Sequence, residues 1–372
     1  MQKYFFISLL VVMSSLLGLD IQEQYSGYPI HLSDTSLGTP VVIASGSDLF
    51  LGMGSLDSNF YIVPVDDPES FLTVPVSGPV KGKTVAFSDG IFVFQTTNGN
   101  LYSVNIEGSI MSGFPIDLGE SSLYSSPALL DDHGIVCVVD NSVYLVSETG
   151  DYTNIADFES EYGAIADPAF GDINGDGTPY IIVAGWDQIY AFTIDGTPID
   201  PFPVSLEGSW HFSYSPPVIA DVMHDGIMDI LIGGHQTADD YWGGIFMYQA
   251  ETGLVSHYPV AVADTGCWLY SNIPADVDGD TLAELCVLVA DGYVRYANPD
   301  RSSTTIWEDA FYVSEGSLES GLLMTSVNGD LEPDFVFLSA DTGRIVRRQY
   351  DGFNADDSLD VMAYGDTYDS QD

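Results

Sequence analysis

Short apolar runs recur along the chain, each following a polar loop. Ile-Ile-Val-Ala begins at Ile181, Ile-Leu-Ile-Gly at Ile230, Leu-Cys-Val-Leu at Leu285 and Phe-Val-Phe-Leu at Phe335. Brief runs of this kind, rich in β-branched and aromatic residues, read as strongly apolar strands. A turn then leads to a segment with alternating aromatics, at residues 100–104, 142–146, 188–192, 244–248 and 292–296. These predict a further strand. After turns such as Asp195-Gly comes an aromatic-Pro-aliphatic triplet: Phe114-Pro-Ile116, Phe202-Pro-Val204 and Tyr258-Pro-Val260. Proline cannot donate to a ladder, so these triplets predict an outer edge strand.

The pattern repeats. Strand starts fall at Pro40, Pro79, Pro127, Pro168, Pro217, Asn272 and Leu322, spaced 39 to 55 residues apart. Seven units of four strands predict an all-β fold: a seven-bladed β-propeller of four-stranded antiparallel blades. The triplet Tyr28-Pro-Ile30 precedes the first unit, so it is expected to supply the fourth strand of the last blade and close the ring. Residues 19–350 then form the propeller, and residues 351–372 an acidic tail.

The polar loops share one frame. Residues 276–284 place Asp276, Asp278, Asp280 and Glu284 at relative positions 1, 3, 5 and 9. So many carboxylates in one tight loop repel one another unless a cation lies among them, and Ca²⁺ takes oxygen ligands of this kind. The frame recurs with Asp172, Asn174 and Asp176, where Tyr180 stands at position 9. It recurs with Ser326, Asn328, Asp330 and Asp334, and with Asp221, Asp225 and Asp229, where Met223 removes position 3. An EF-hand needs a Glu at position 12 and a following helix. Position 12 here is Val183, Ile232, Val287 and Phe337, so the loops are expected to join two strands.

Repeats of apolar strand, Asp-rich loop and apolar strand resemble the FG-GAP/VCBS repeat family, the calcium-bearing propeller repeat of the integrin α-subunit head. The resemblance is strongest over residues 160–350, while residues 28–160 are more similar to calcium-free propeller blades. It implies Ca²⁺ in the loops between first and second strands, and a role in adhesion or ligand binding. In a minority of the family it implies polysaccharide lyase activity.

Charge narrows the partners. The 372 residues include 55 Asp or Glu and 8 Lys or Arg, a formal net charge of −47. Such a chain is not suited to nucleic acid or anionic membrane, both of which require clustered cations. Residues 1–18 read as a signal peptide: Lys3, then an apolar run too short to span a bilayer comfortably. An uncleaved anchor is the alternative. The expected location is secreted, extracellular or at the cell surface, with the periplasm as the alternative. Cys137, Cys267 and Cys286 sit in apolar contexts, where buried thiols are the default and a Cys267–Cys286 bridge the alternative.

Nucleophile elbows, zinc-protease motifs and phosphate loops are absent from the sequence. The expected function is therefore a non-catalytic, calcium-binding adhesion or ligand-binding module for an extracellular protein or glycan. A polysaccharide-active enzyme on the same fold is the alternative. The fifth unit carries Trp210 and His211 before its first strand, and a long connection at residues 235–242 with Tyr241 and Trp242. With Trp268 and Tyr270 of the sixth unit, these place aromatics on the rim opposite the acidic loops, the expected ligand surface. His211, His224 and His235 raise a zinc site as a lesser alternative.

Overall fold

The computed structural model describes residues 41–349 apart from connecting stretches, the longest being 298–308 and 313–322. Beyond residue 259 it describes backbone alone, with Leu285 the exception. The N-terminal 40 residues and residues 350–372 lie outside the described residues. The expected signal peptide, the Tyr28–Ile30 closing strand and the acidic tail therefore lie outside them too.

Among the described residues, seven antiparallel sheets follow one another along the chain. Five are four-stranded and follow chain order, beginning at Val41, Val85, Ala128, Ala169 and Leu269. The fifth sheet, from Trp210 to Ala263, has six strands, and the seventh, from Leu323 to Gln349, has three. The segments expected as third strands are third strands: Asn100–Asn105, Ser142–Ser147, Gln188–Phe192, Gly243–Gln249 and Tyr293–Ala297.

The outer strands are shorter than their motif suggested. They span Ile116–Asp117 and Val204–Ser205, beginning one residue after Pro115 and Pro203. Proline ends up before the ladder, where its missing N–H costs nothing. Phe114, Phe202 and Tyr258 turn inward and are buried.

Alternate side chains of each inner strand face opposite neighbours, as the strand's period of two requires. From the fourth sheet, Ile181 and Val183 pack with Val136 and Val138 of the third. Tyr180, Ile182 and Ala184 pack instead with Ile230, Ile232 and Phe246 of the fifth. Ile135 and Cys137 of the third sheet meet Val85 and Val93 of the second. Phe92 and Phe94 of the second sheet meet Phe60 and Ile62 of the first. Leu231 and Met247 of the fifth sheet share a core with Leu285 of the sixth. Sheets one to six are therefore stacked face to face in chain order. Both faces of the inner strands are covered, which is why their sequence is apolar without interruption. Cys137 is a free thiol inside this packing, and burial raises its pKa far above the ordinary thiol value.

Candidate functional site

The acidic loops all sit where a first strand turns into a second. Residues 172–179 join Ala169–Gly171 to Tyr180–Ala184, and residues 221–228 join Val218–Ala220 to Asp229–Gln236. Residues 276–283 lie between Leu269–Ala275 and Glu284–Val289, and residues 326–333 between Leu323–Thr325 and Asp334–Ser339. The strand-to-strand context is the one expected. Asp276, Asp278, Asp280, Ser326, Asn328 and Asp330 lie outside the described residues, and Glu284 and Asp334 are placed by backbone alone.

The two described loops are wound alike. Asp172 accepts the backbone N–H of Asp176 at 3.0 Å and of Gly177 at 2.7 Å. Asp221 accepts those of Asp225 at 3.1 Å and Gly226 at 3.0 Å. Asp176 and Asp225 each accept the N–H two residues on. Gly177 and Gly226 take left-handed backbone at the same step, which a residue with a Cβ adopts at a cost. The first Asp thus pulls the chain around itself through the N–H groups of positions 5 and 6.

The loops differ in how the ring of oxygens is closed. In the 172 loop, the Tyr180 hydroxyl donates to Asp176 Oδ2 at 2.7 Å and accepts from Asn174 Nδ2 at 2.7 Å. The Tyr180 bond is the main reason the Asp176 pKa is lowered. Asp172, Asn174 and Asp176 gather side-chain oxygens around one turn, a donor set that fits a hard cation. They would hold it, and it would neutralise their charge. In the 221 loop, Met223 offers no oxygen and the closing group is an amide. Gln249 Nε2 donates to Asp225 Oδ2 at 3.1 Å and to Asp229 Oδ1 at 2.9 Å. The donor set there does not fit a cation. Among the described residues, no three His, Cys, Asp or Glu side chains are grouped to hold a metal ion.

The opposite ends of the sheets carry the aromatics. Trp210–Phe212, expected as a connection, is a strand, and it pairs with the far half of Asp229–Gln236. The first strand of the fifth sheet is therefore split, because Pro216 and Pro217 interrupt the ladder before Val218–Ala220 resumes it. His235 lies within the extended second strand and is buried. Trp210 is half-buried and set edge-on to Phe246, with ring centroids 5.2 Å apart. Tyr241, Trp242 and Trp268 lie outside the described residues, as does His224, while Tyr270 falls on the strand Leu269–Ala275.

Sequence reasoning missed the centre of this cluster, Trp186. It sits in the tight turn between Tyr180–Ala184 and Gln188–Phe192, held by two neighbours. Its N–H donates to Ser160 Oγ at 3.0 Å, and its carbonyl accepts from the Phe212 N–H at 2.8 Å. Its ring stacks on His211 at 4.6 Å and meets His235 edge-on at 5.5 Å. Tyr162, 59% exposed, meets it edge-on at 5.0 Å. A Trp in a three-residue turn after an apolar strand was the available signal. Beside it opens a cleft of about 380 Å³ between the third and fourth sheets, lined by Asn141, Glu159, Glu161, Asp187 and Gln188. Beneath that cleft, burial and the charges of Asp187 and Glu159 push the Tyr190 hydroxyl up to about 12. Burial and the neighbouring His211 hold His235 down at about 4, so it is neutral near pH 7.

Stacked four-stranded antiparallel sheets with turns of this kind define a propeller-like all-β protein. Residues 172–232 match the FG-GAP-like repeat, spanning the fourth sheet from its first loop into the second strand of the fifth. Solved structures share the architecture, among them β-propellers. BamB from Moraxella catarrhalis is 14% identical with a TM-score of 0.58, over 87% of this chain and 88% of its own. The Dos1 propeller is 10% identical with a TM-score of 0.57, over 87% and 85%. Sqt1 from Saccharomyces cerevisiae is 12% identical with a TM-score of 0.51, over 86% and 96%. At these identities the likeness establishes the fold alone. No curated protein matches the chain.

Proposed function

We propose that this chain is a secreted, non-catalytic ligand-binding or adhesion module. It is built as a seven-bladed ring closed by the N-terminal strand around Tyr28–Ile30. Ca²⁺ bound at the 276 loop, and at the 172 and 326 loops, steadies one end of the ring. The other end recognises an extracellular protein or glycan. The observation that carries this reading is the rim cluster of Tyr162, Trp186 and His211. Trp186 is held by hydrogen bonds from both its N–H and its carbonyl, and the neighbouring Tyr162 is left open to solvent. Ordered aromatics on a rigid scaffold are the usual anchors of recognition. Trp210, Trp242, Trp268 and Tyr270 extend the same surface by sequence position.

The test is binding to a glycan array and to immobilised extracellular-matrix proteins, with and without chelator. Trp186→Ala and Trp242→Ala should each weaken whatever binding is found by about 2 kcal/mol, roughly 30-fold. If both variants bind like the parent while Asp278→Ala abolishes binding, recognition runs through the loop face and this reading fails. New unsaturated sugar ends in a polysaccharide digest would establish the enzyme instead.

A further inference from the structure

We infer that the 221 loop is a cation-free version of its siblings, in which the side-chain amide of Gln249 occupies the place the frame reserves for a metal ion. In a calcium loop, a positive charge bridges the carboxylates at positions 5 and 9. Here one Nε2 group bridges Asp225 Oδ2 and Asp229 Oδ1, at 3.1 and 2.9 Å. Gln249 reaches them from the third strand, where the register sets it directly opposite Asp229. Asp229 is buried, and its second oxygen accepts the N–H groups of Val222 and Met223 at 3.0 and 3.1 Å. Its acceptor sites are thus filled from within the fold. A cation entering here would have to displace the amide and would find Met223 where position 3 should supply an oxygen.

The seventh sheet repeats the arrangement at the level of register. Asp334, position 9 of the 326 loop, pairs with Gln349 of the third strand, as Asp229 pairs with Gln249. The fourth sheet does not: Tyr180 holds position 9 and closes its loop from within. The likeness at the 326 loop is one of backbone register alone, and the 221 loop is the described loop whose carboxylates are bridged by a glutamine from the facing strand.

The experiment counts bound Ca²⁺ per full-length chain by equilibrium dialysis and follows melting in chelator and in millimolar Ca²⁺. Asp225→Asn should leave the ion count unchanged. Gln249→Ala should lower the melting temperature by a few degrees, equally with and without Ca²⁺. Gln249→Glu should melt earlier than the parent in chelator, recover in Ca²⁺ and bind one ion more. Loss of one ion in Asp225→Asn would overturn the inference, as would a Gln249→Ala protein that melts with the parent in chelator. A parent chain that binds no Ca²⁺ would count against the calcium role proposed for the other loops and leave this one standing.

Discussion

Ser126 and Asp167 stand 41 positions apart and meet across two sheets: the Ser126 N–H donates to Asp167 Oδ1 at 2.6 Å. Ser126 Oγ in turn accepts the Lys83 N–H at 2.8 Å. The entries to the second, third and fourth sheets are thus tied in series. Burial raises the Asp167 pKa, and the Lys83 charge and the Ser126 bond partly offset that. Replacing Asp167 with Ala strands a buried N–H, a loss of about 1–3 kcal/mol. Asp167→Asn keeps an acceptor and should lose less. Urea unfolding of the two variants checks the order.

A second contact between sheets is steric. Gly196 holds φ at +85°, and a Cβ there would lie 1.8 Å from the Ile155 carbonyl oxygen of the third sheet. Gly196→Ala therefore combines left-handed backbone with a clash against main chain. A loss of at least about 2 kcal/mol is expected in thermal or urea melts.

Acid should loosen the rim through His235. Its folded pKa of about 4 lies below the ordinary 6.5, so the unfolded chain takes up the proton first as pH falls. The stabilisation is complete above about pH 6.5 and drains away toward pH 4. At most it amounts to about 3 kcal/mol. In His235→Gln, the fall in stability across that window should be shallower than in the parent. Parallel curves would show that His235 does not drive the effect.

Calcium should raise the melting temperature, because an ion held only by the folded state stabilises it by mass action. At a hundredfold excess over its dissociation constant, one ion contributes about 2.7 kcal/mol. Asp278→Ala should shrink the gap between chelated and calcium-loaded melts. A gap of zero in the parent would remove the ion from the account.

Removing residues 19–34 should leave the three-stranded seventh sheet with a bare edge, if that segment completes it. Aggregation or a broadened, less cooperative melt is expected by light scattering and circular dichroism. A monomer with the parent's melt would assign the closing strand to the tail after Asp351.

Much of this was legible in the sequence, for an identifiable reason. A strand covered on both faces has no choice but to be apolar, so Tyr180–Ala184 and Asp229–Gln236 announce themselves. Each acidic loop then marks where a strand turns. The outer strands were harder, because two residues such as Ile116 and Asp117 carry no period, and only the preceding Pro115 betrays them. The split strand at Trp210–Phe212 was read as a connection because its ladder is interrupted by prolines. The Gln249 bridge was invisible, since nothing in a loop's own residues reveals which side chain stands across from it.

Committing each inner strand to two neighbours has a consequence for assembly. Interactions run from one sheet to the next in chain order, so a nascent array can lengthen like a zipper from wherever it starts. Contacts between adjacent units span tens of residues rather than the whole chain, which favours early local pairing over long searches. In a closed ring the last contact to form is the one between the first and seventh sheets. Amide exchange should be slowest in Tyr180–Ala184 and Asp229–Gln236, whose two faces are both covered by neighbouring sheets.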